Sequence, residues 1–240
     1  MKQFIGPFLL SAGVLANSAS VAADEPVQHT EVHVGVDGNS TGSFFGYTAF
    51  NFAPDKGGLD ESGLRLWLLG GAGFYHYPGD RDTFWDTDAL VGYGIVRDNL
   101  NVNFYAGLNA QQHQLAVPDP RNPVQGLGVG VMFRTDVWYN PTPITLLYGE
   151  GEYSTAFGTY YSSAKYGYSF TGGKTVEDRQ LYIGPQITLL GDTFYQEWRA
   201  GAHVTSLNLG KVDFSIGAGY SHNSENGSGA YGILEFNTRF

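Results

Sequence analysis

The sequence lacks cysteine throughout its 240 residues. That absence excludes a disulfide framework, a thiolate metal site, a thiol nucleophile and a lipoprotein anchor. Charged residues are scarce as well: they make up 15% of the chain, where about 25% is usual in a soluble domain. There are 13 basic and 23 acidic residues, which gives a formal net charge of −10. This acidic balance argues against nucleic acid as a partner.

Long apolar runs are also missing. A transmembrane helix needs about 20 apolar residues, and the longest such run, Leu66 to Tyr77, is shorter and broken by glycine. Near the start, Lys2 precedes an apolar stretch from Phe4 to Ala16, and small residues follow at 20–23. This pattern predicts a cleaved secretory signal peptide over residues 1–23. Any later membrane segment must then cross as strands.

What the chain has in abundance is aromatic residues and glycine, with 16 Tyr, 16 Phe and 34 Gly. Twelve segments bounded by turn residues show strand character, most of them with a period of two. In the clearest one, Leu100, Val102 and Phe104 alternate with Asn101 and Asn103. The segment 43–52 alternates too poorly to be oriented. The predicted strands are 31–37, 43–52, 63–77, 85–96, 100–109, 125–139, 144–153, 160–170, 179–190, 195–207, 211–220 and 229–240.

These strands predict an all-β fold: a single antiparallel up-and-down transmembrane β-barrel of about 12 strands. An even number brings both termini to one side, and strands of about 9 to 13 residues suit a tilted membrane crossing. Residues 31–37 are expected to pair with 229–240 and close the barrel. The C-terminal Phe240 is typical of the last strand of an outer-membrane barrel. Residues 24–240 thus form one predicted barrel domain in the outer membrane of a Gram-negative bacterium.

Loop lengths and glycine positions bear on orientation. The predicted turns after the fourth, sixth and tenth strands are short, as on a periplasmic side, whereas loops 111–124 and 221–228 are longer. Loops 53–62 and 171–178 break this rule. Glycine is frequent on the polar faces of the strands, where a solvent-exposed face has no need of it. A crowded, curved interior under large side chains does need it, which predicts polar faces inward and apolar faces toward lipid.

The inward faces carry a set of charged and polar side chains. Two interpretations stay open: an ion-pair network that plugs a narrow lumen, or a polar, aromatic-lined path for an oligosaccharide. The predicted polar network comprises Arg65, Arg134, Asp136, Glu150, Glu152, Lys165, Arg199, His203, Glu235 and Arg239. The aromatic side chains available for stacking on a glycan are Trp67, Tyr75, Tyr105, Trp138, Tyr161 and Tyr182.

Catalytic signals are weak. None of the six histidines has a partner at metal-ligand spacing, and no phosphate loop, nucleotide motif or calcium loop is present. His203 with Thr205, and Ser163 nearby, is the one arrangement that fits a lipid-modifying enzyme. We therefore expect no catalytic residues, no metal and no cofactor.

Several short segments of the C-terminal half carry a family resemblance. They include Asn-Pro-Thr-Pro at 140–143, the Tyr-Gly-Glu-Gly-Glu-Tyr run that starts at Tyr148, Tyr-Ile-Gly-Pro at 182–185, Gly-Ala-His-Val-Thr at 201–205 and Gly-Ala-Tyr-Gly at 229–232. Together, over about Val137 to Phe240, they resemble the BcsS family of cellulose biosynthesis proteins.

The resemblance implies a role in making, exporting or anchoring cellulose at the outer membrane, and it carries over no catalytic residues. Its implied partners are outer-membrane lipid, cellulose and other components of a cellulose synthesis or export machinery. The protein is then expected to act as a non-enzymatic accessory or a narrow glycan channel. The alternatives are a general small-solute channel and an outer-membrane lipid-modifying enzyme.

Overall fold

The structure is a computed structural model that describes residues 27–77, 80–170 and 180–240, and of Asp80 only the backbone. The predicted signal peptide, the turn tip at 78–79, the whole loop at 171–178 and residue 179 lie outside the described residues. Among the described residues, no helix has the length and apolar character needed to cross a membrane.

Twelve strands make up nearly all of the described chain, and a 3-10 turn at Gly58–Asp60 is the one helical element within it. The strands are β1 (Thr30–Asn39), β2 (Phe44–Phe52), β3 (Gly63–Tyr77), β4 (Asp80–Arg97), β5 (Leu100–Gln114), β6 (Gly126–Thr142), β7 (Thr145–Ser154), β8 (Tyr160–Tyr168), β9 (Tyr182–Gly191), β10 (Gln196–Leu209), β11 (Val212–Asn223) and β12 (Gly227–Arg239).

Each strand pairs antiparallel with its neighbours in sequence, and β1 pairs with β12, so the sheet closes into a barrel. In this closing pair Glu31 lies opposite Arg239 and Asn39 lies opposite Tyr231. The backbone of Phe240 extends the seam, because its N–H donates to the Thr30 carbonyl over 2.8 Å. The predicted twelve-stranded barrel and its closure by residues 31–37 and 229–240 are confirmed.

The two ends of the barrel differ in their connections. We call the end that holds Thr30 and Phe240 the terminus end, and the opposite end the far end. The terminus end carries the tight turns at 98–99, 143–144 and 210–211 together with the longer segment 53–62, and the far end carries the connections 115–125 and 224–226. Segment 53–62 packs against the start of the described chain, since the Leu59 N–H donates to the Gln28 carbonyl over 2.8 Å.

Apolar side chains cover the outside of the wall. Leu68, Val91, Leu108 and Val129 are all more than half exposed, with Val129 at 66%. A soluble protein rarely exposes so continuous an apolar surface, whereas a transmembrane barrel presents it to lipid and keeps polar residues inside. The inward side of the same strands carries the polar and glycine positions.

Strand β2 could not be oriented from the sequence because aromatic residues occupy both of its faces. Phe44, Phe50 and Phe52 are exposed on the outer wall. Phe45 and Tyr47 point inward, where both line the lumen. Alternation of hydrophobicity vanishes here because aromatic side chains both line the lumen and cover the apolar outer wall of this one strand.

Several strands extend further than predicted at the far end. β4 starts at Asp80 rather than at residue 85, and β5 continues to Gln114 rather than to 109. β11 and β12 likewise run on to Asn223 and from Gly227, so the predicted loop 221–228 is a connection of only three residues. Above the apolar band both faces of a strand meet water, so hydrophobic alternation stops while backbone pairing continues.

Inward glycines lie beneath large side chains, as their position on the polar faces predicts. A Cβ added at Gly35 would overlap the ring of Tyr47, and one added at Gly128 would overlap the ring of Phe157. These glycines let the rings lie flat against the wall and fill the narrow lumen.

Replacing Gly35 by valine is therefore expected to destabilise the barrel by about 1–3 kcal/mol, the usual cost of overpacking a filled interior. Urea unfolding of the refolded protein in detergent measures this cost. Gly232→Val on the paired strand is the control, since no atom lies within 4 Å of the Cβ site at Gly232. In a Tyr47→Ala background most of the cost of Gly35→Val should vanish; an unchanged cost would contradict the packing explanation.

Candidate functional site

One cavity of about 1330 Å³ occupies the lumen. Its lining includes Asp60 and Arg97 at the terminus end, Lys165 at mid-height, and Tyr195 and Glu225 at the far end. Residues of both ends thus border the same space, and the cavity follows the barrel axis.

A group of charged side chains lies across the middle of this cavity. The guanidinium of Arg134 on β6 is 3.4 Å from a carboxylate oxygen of Glu150 and also forms an ion pair with Glu152, both on β7. Its central carbon lies 4.2 Å from the ring centroid of Trp67 on β3. Arg134 thus bridges strands that are three positions apart in the barrel.

Lys165 makes the second bridge at this height. Its Nζ lies 3.1 Å from a carboxylate oxygen of Glu235, which also accepts a hydrogen bond of 3.1 Å from the hydroxyl of Tyr47. Lys165 is on β8 and Glu235 on β12, four strands away, so the pair reaches across part of the lumen. We call Arg134, Glu150, Glu152, Lys165 and Glu235 the central belt.

Separate ion pairs lie toward each end. In the far half, Arg199 binds Asp37 at 2.5 Å and Glu197 at 2.7 Å, and Arg199 and Glu197 are almost fully buried. At the terminus end, Arg239 binds Glu31 at 3.0 Å across the closing seam. Charged groups in a narrow interior are tolerated when they are paired in this way.

The structure brings eight of the ten predicted polar residues to the cavity wall: Arg134, Asp136, Glu150, Glu152, Lys165, Arg199, Glu235 and Arg239. Asp136 lies beside the central belt and accepts a hydrogen bond of 2.7 Å from the Asn103 amide.

Arg65 points inward but lies outside the ion-pair network in which the sequence placed it. Its guanidinium donates to the carbonyls of Leu59 and Glu61, at 3.2 and 2.6 Å, and the residue is 1% exposed. Arg65 therefore anchors segment 53–62 at the terminus end.

His203 also points inward and is buried beneath the cavity surface. Its Nδ1 lies 2.9 Å from the Thr205 hydroxyl and its Nε2 lies 3.0 Å from the Tyr166 carbonyl. His203 is 2% exposed. Ser163 is equally buried and is hydrogen-bonded to Thr188 at 3.4 Å. Within the described chain no acid or amide side chain bonds to His203, so its two contacts hold the ring in the wall.

The six aromatic residues divide in the same manner. Tyr75, Trp138 and Tyr161 line the cavity and are partly exposed, with Trp138 toward the terminus end and Tyr75 toward the far end. The Trp138 indole is held by a hydrogen bond of 2.7 Å to Asn140. Trp67, Tyr105 and Tyr182 are almost fully buried.

Three lumen residues escaped the sequence reasoning. Tyr47 was missed because β2 could not be oriented. Glu197 was missed because its one signal is weak: it lies two residues before Arg199, on the same face of the strand. Asn109 is the last residue of the predicted strand 100–109, on the same face as Asn101 and Asn103, and nothing in the sequence signals its partners. Its amide donates to Asp86 at 2.6 Å and to Asp88 at 2.7 Å, which joins two carboxylates without a cation.

At the far mouth, outside the membrane-spanning part, Asp119 fixes the connection 115–125. Its Oδ2 accepts a hydrogen bond of 2.7 Å from the hydroxyl of Tyr77. This bond, together with hydrogen bonds from Arg121, lowers the pKa of Asp119 to about 2. The carboxylate stays ionised at neutral pH and keeps the connection attached to the rim of β3.

Comparisons with known proteins place this geometry in context. Among solved structures, LpxR from Salmonella typhimurium is similar with a TM-score of 0.50 and 9% identity, covering 88% of this chain and 100% of that chain. The beta domain of the Bordetella autotransporter BrkA gives 0.44 at 10% identity, covering 89% and 99%. The translocator domain of the autotransporter NalP from Neisseria meningitidis gives 0.41 at 12% identity, covering 89% and 87%.

At such low identity these likenesses concern the fold alone. No curated protein matches the sequence. The family model described as "Cellulose biosynthesis protein BcsS" matches residues 32–240. That range covers β1 from its third residue and the other eleven strands in full, and the chain therefore belongs to the BcsS family of cellulose biosynthesis proteins.

Proposed function

We propose that this barrel lies in the outer membrane of a Gram-negative bacterium and supports cellulose biosynthesis as a narrow path for a glucan chain. Family membership supports the link to cellulose, and the apolar outer wall supports the membrane location. The observation that carries the proposal is the single cavity bordered by residues of both barrel ends.

The dimensions of the cavity suit one extended chain. A 15-residue strand such as β3, rising about 3.3 Å per residue with a tilt of about 40°, spans roughly 38 Å. Spread over that height, the cavity of about 1330 Å³ has a mean cross-section of roughly 35 Å². A lumen of this mean section is narrow, which favours one extended chain over a bundle.

The lining supplies the two kinds of contact that a glucan requires. The partly exposed rings of Tyr75, Trp138 and Tyr161 offer flat apolar surfaces at successive heights for the C–H faces of sugars. The carboxylates and cations of the central belt offer acceptors and donors to sugar hydroxyls. Neutral cellulose needs no ionic partner, so these pairs can remain intact while it passes.

The central belt favours a second candidate, a closed barrel that serves as an accessory. Its bridges extend from β3 to β6 and from β8 to β12, and they narrow the lumen at mid-height. In that role the barrel anchors or orients other components of the cellulose machinery. We propose no catalytic role, because the buried contacts of His203 support a structural one.

Chemical blocking of the lumen tests the path. The sequence has no cysteine, so Ser215→Cys, which lines the cavity at belt height, creates a unique labelling site. A bulky methanethiosulfonate reagent on this residue should lower cellulose-dependent dye binding in a producing strain to the level of a gene deletion. Ala218→Cys, on the outer face of the same strand, is the matched control and should leave cellulose unchanged.

Each outcome is informative once mass spectrometry shows that labelling is complete. If cellulose is normal when the lumen is labelled but is lost on gene deletion, the glucan path is wrong and the accessory role takes its place. Normal cellulose after gene deletion removes the cellulose proposal altogether.

A further inference from the structure

The lining of the lumen is strongly acidic. Among the described residues, fourteen acidic side chains border the cavity against six basic ones. We infer that the lumen selects cations over anions, and that it admits neutral or positively charged chains in preference to anionic polysaccharides. The ion selectivity follows from the charge of the lining alone. The polymer preference also rests on the proposed function, the glucan path.

The excess of acidic over basic side chains is largest in the far half of the lumen. Five acidic residues line the cavity there, and Arg199 is the one basic residue among the described residues of that half that borders it. Arg199 already holds two of the five through its ion pairs with Asp37 and Glu197. The other three are Asp86, Asp192 and Glu225.

Those three carboxylates interact with neutral groups. Glu225 accepts a hydrogen bond of 3.4 Å from the hydroxyl of Ser224. Asp86 accepts a hydrogen bond of 2.6 Å from the Asn109 amide. Asp192 accepts hydrogen bonds from the backbone N–H groups of Phe194 and Tyr195, at 2.6 and 2.8 Å. These contacts hold the carboxylates in place and leave their charge uncompensated, so the far half of the lumen is a negatively charged entrance.

The excess of acidic over basic side chains continues to the terminus end. At mid-height three acidic residues of the central belt face two basic ones, and below it six acidic residues face three basic ones. The segment 171–179, outside the described residues, contains two basic and two acidic residues and leaves this balance unchanged. Among the described residues that border the cavity, acidic side chains outnumber basic ones at every level.

The basic groups deep in the lumen are also already bound. Arg134, Lys165, Arg199 and Arg239 each form an ion pair with at least one carboxylate. The remaining two lie at the terminus end, Lys56 in segment 53–62 and Arg97 as the last residue of β4. Among the described residues that border the cavity, an anion that enters from the far end therefore meets an excess of negative charge and no unpaired cation before the opposite rim.

A charge of one sign in a narrow, low-dielectric passage concentrates counter-ions within it. Rings of Asp and Glu select cations in other channels for this reason. At 0.1 M salt the Debye length is about 10 Å, so the field of the wall extends through a lumen as narrow as this one.

Reversal potentials of the purified full-length protein in planar bilayers, in a KCl gradient at pH 8, measure the selectivity. We expect K⁺ to permeate roughly tenfold better than Cl⁻, the lower end of the enrichment that charged clefts produce. The triple variant Asp86→Asn, Asp192→Asn, Glu225→Gln should lower this ratio about twofold or more. Asp55→Asn removes one charge at the rim away from the cavity and should leave the ratio unchanged.

Oligosaccharides of one linkage and length test the polymer preference. A β-1,4-linked glucosamine hexamer, which is cationic, should block the current at lower concentration than the neutral cello-hexamer, and the triple variant should reduce the difference. A current without cation preference overturns the inference, and so does a barrel that conducts nothing. Neither result touches the link to cellulose, because gene deletion tests that link separately.

Discussion

Replacing Arg199 by methionine is expected to lower the free energy of unfolding by about 3–5 kcal/mol, the usual cost of removing one partner of a buried ion pair. The substitution keeps much of the side-chain volume and removes the charge, so Asp37 and Glu197 lose their shared cation. Glu197 is 3% exposed, so little water reaches it as compensation. The barrel's temperature of unfolding, followed by its heat-dependent mobility in detergent gels, measures the loss.

The chain offers a matched control for this variant. Arg121 pairs with Asp119 at 3.3 Å, but its side chain is 90% exposed, and such a pair contributes at most about 1 kcal/mol. Arg121→Met should therefore unfold near the wild-type temperature. Adding Glu197→Gln to Arg199→Met should restore part of the stability, because one of the stranded charges is gone. If Arg199→Met and Arg121→Met unfold alike, the ion pair of Arg199 does not stabilise the wall.

Replacing Trp67 by alanine is expected to cost about 3–5 kcal/mol, the range for removing a buried Trp or Phe side chain. Trp67 is 3% exposed and packs with Ala49, Leu90, Tyr105 and Met132. These residues come from β2 to β6 and form the apolar cluster of the lumen wall. Urea unfolding of the purified barrel in detergent gives the cost without reference to cellulose.

Two comparison variants sharpen this result. Trp198 lies on the outer wall and is 43% exposed, so Trp198→Ala should cost clearly less. Trp67→Phe keeps an aromatic ring and removes an indole N–H that has no hydrogen-bond partner among the described residues, so it should recover most of the stability. If Trp67→Ala unfolds like the wild type, Trp67 is a surface for ligands and not part of the wall.

The sequence predicted the barrel because the two faces of each strand meet different surroundings. Period-two alternation records that difference directly, and it placed Arg134, Lys165 and Glu235 on the inner face without any tertiary information. The even number of strands and the closing pair followed from the same alternation. Strand ends were less well predicted, since a strand such as β5 that protrudes into water keeps its pairing but loses its pattern.

The sequence could not predict which inward side chains are exposed to the lumen and which are covered. Trp67 and Trp138 both alternate correctly to the inner face and both border the cavity, yet Arg134 covers Trp67, which is 3% exposed, whereas Trp138 is partly exposed. The difference arises from contacts between β3 and β6, strands that are not neighbours in the sheet, and no local pattern encodes such a contact. The role of Arg65 was hidden for a similar reason, because its partners are backbone carbonyls of a connection and not charged side chains.

The seam between β1 and β12 has a consequence for how the barrel assembles. Glu31 and Arg239, which face each other there, are 208 residues apart, while every other strand pair is joined by a connection of 13 residues or fewer. Closing a loop of that length costs roughly 3 kcal/mol more in chain entropy than closing one of about ten residues. The hairpins therefore form first, and a curled sheet with two unpaired edges precedes the finished barrel. Until that sheet closes, its open edges are templates for pairing with other chains, so the seam is where assembly requires protection.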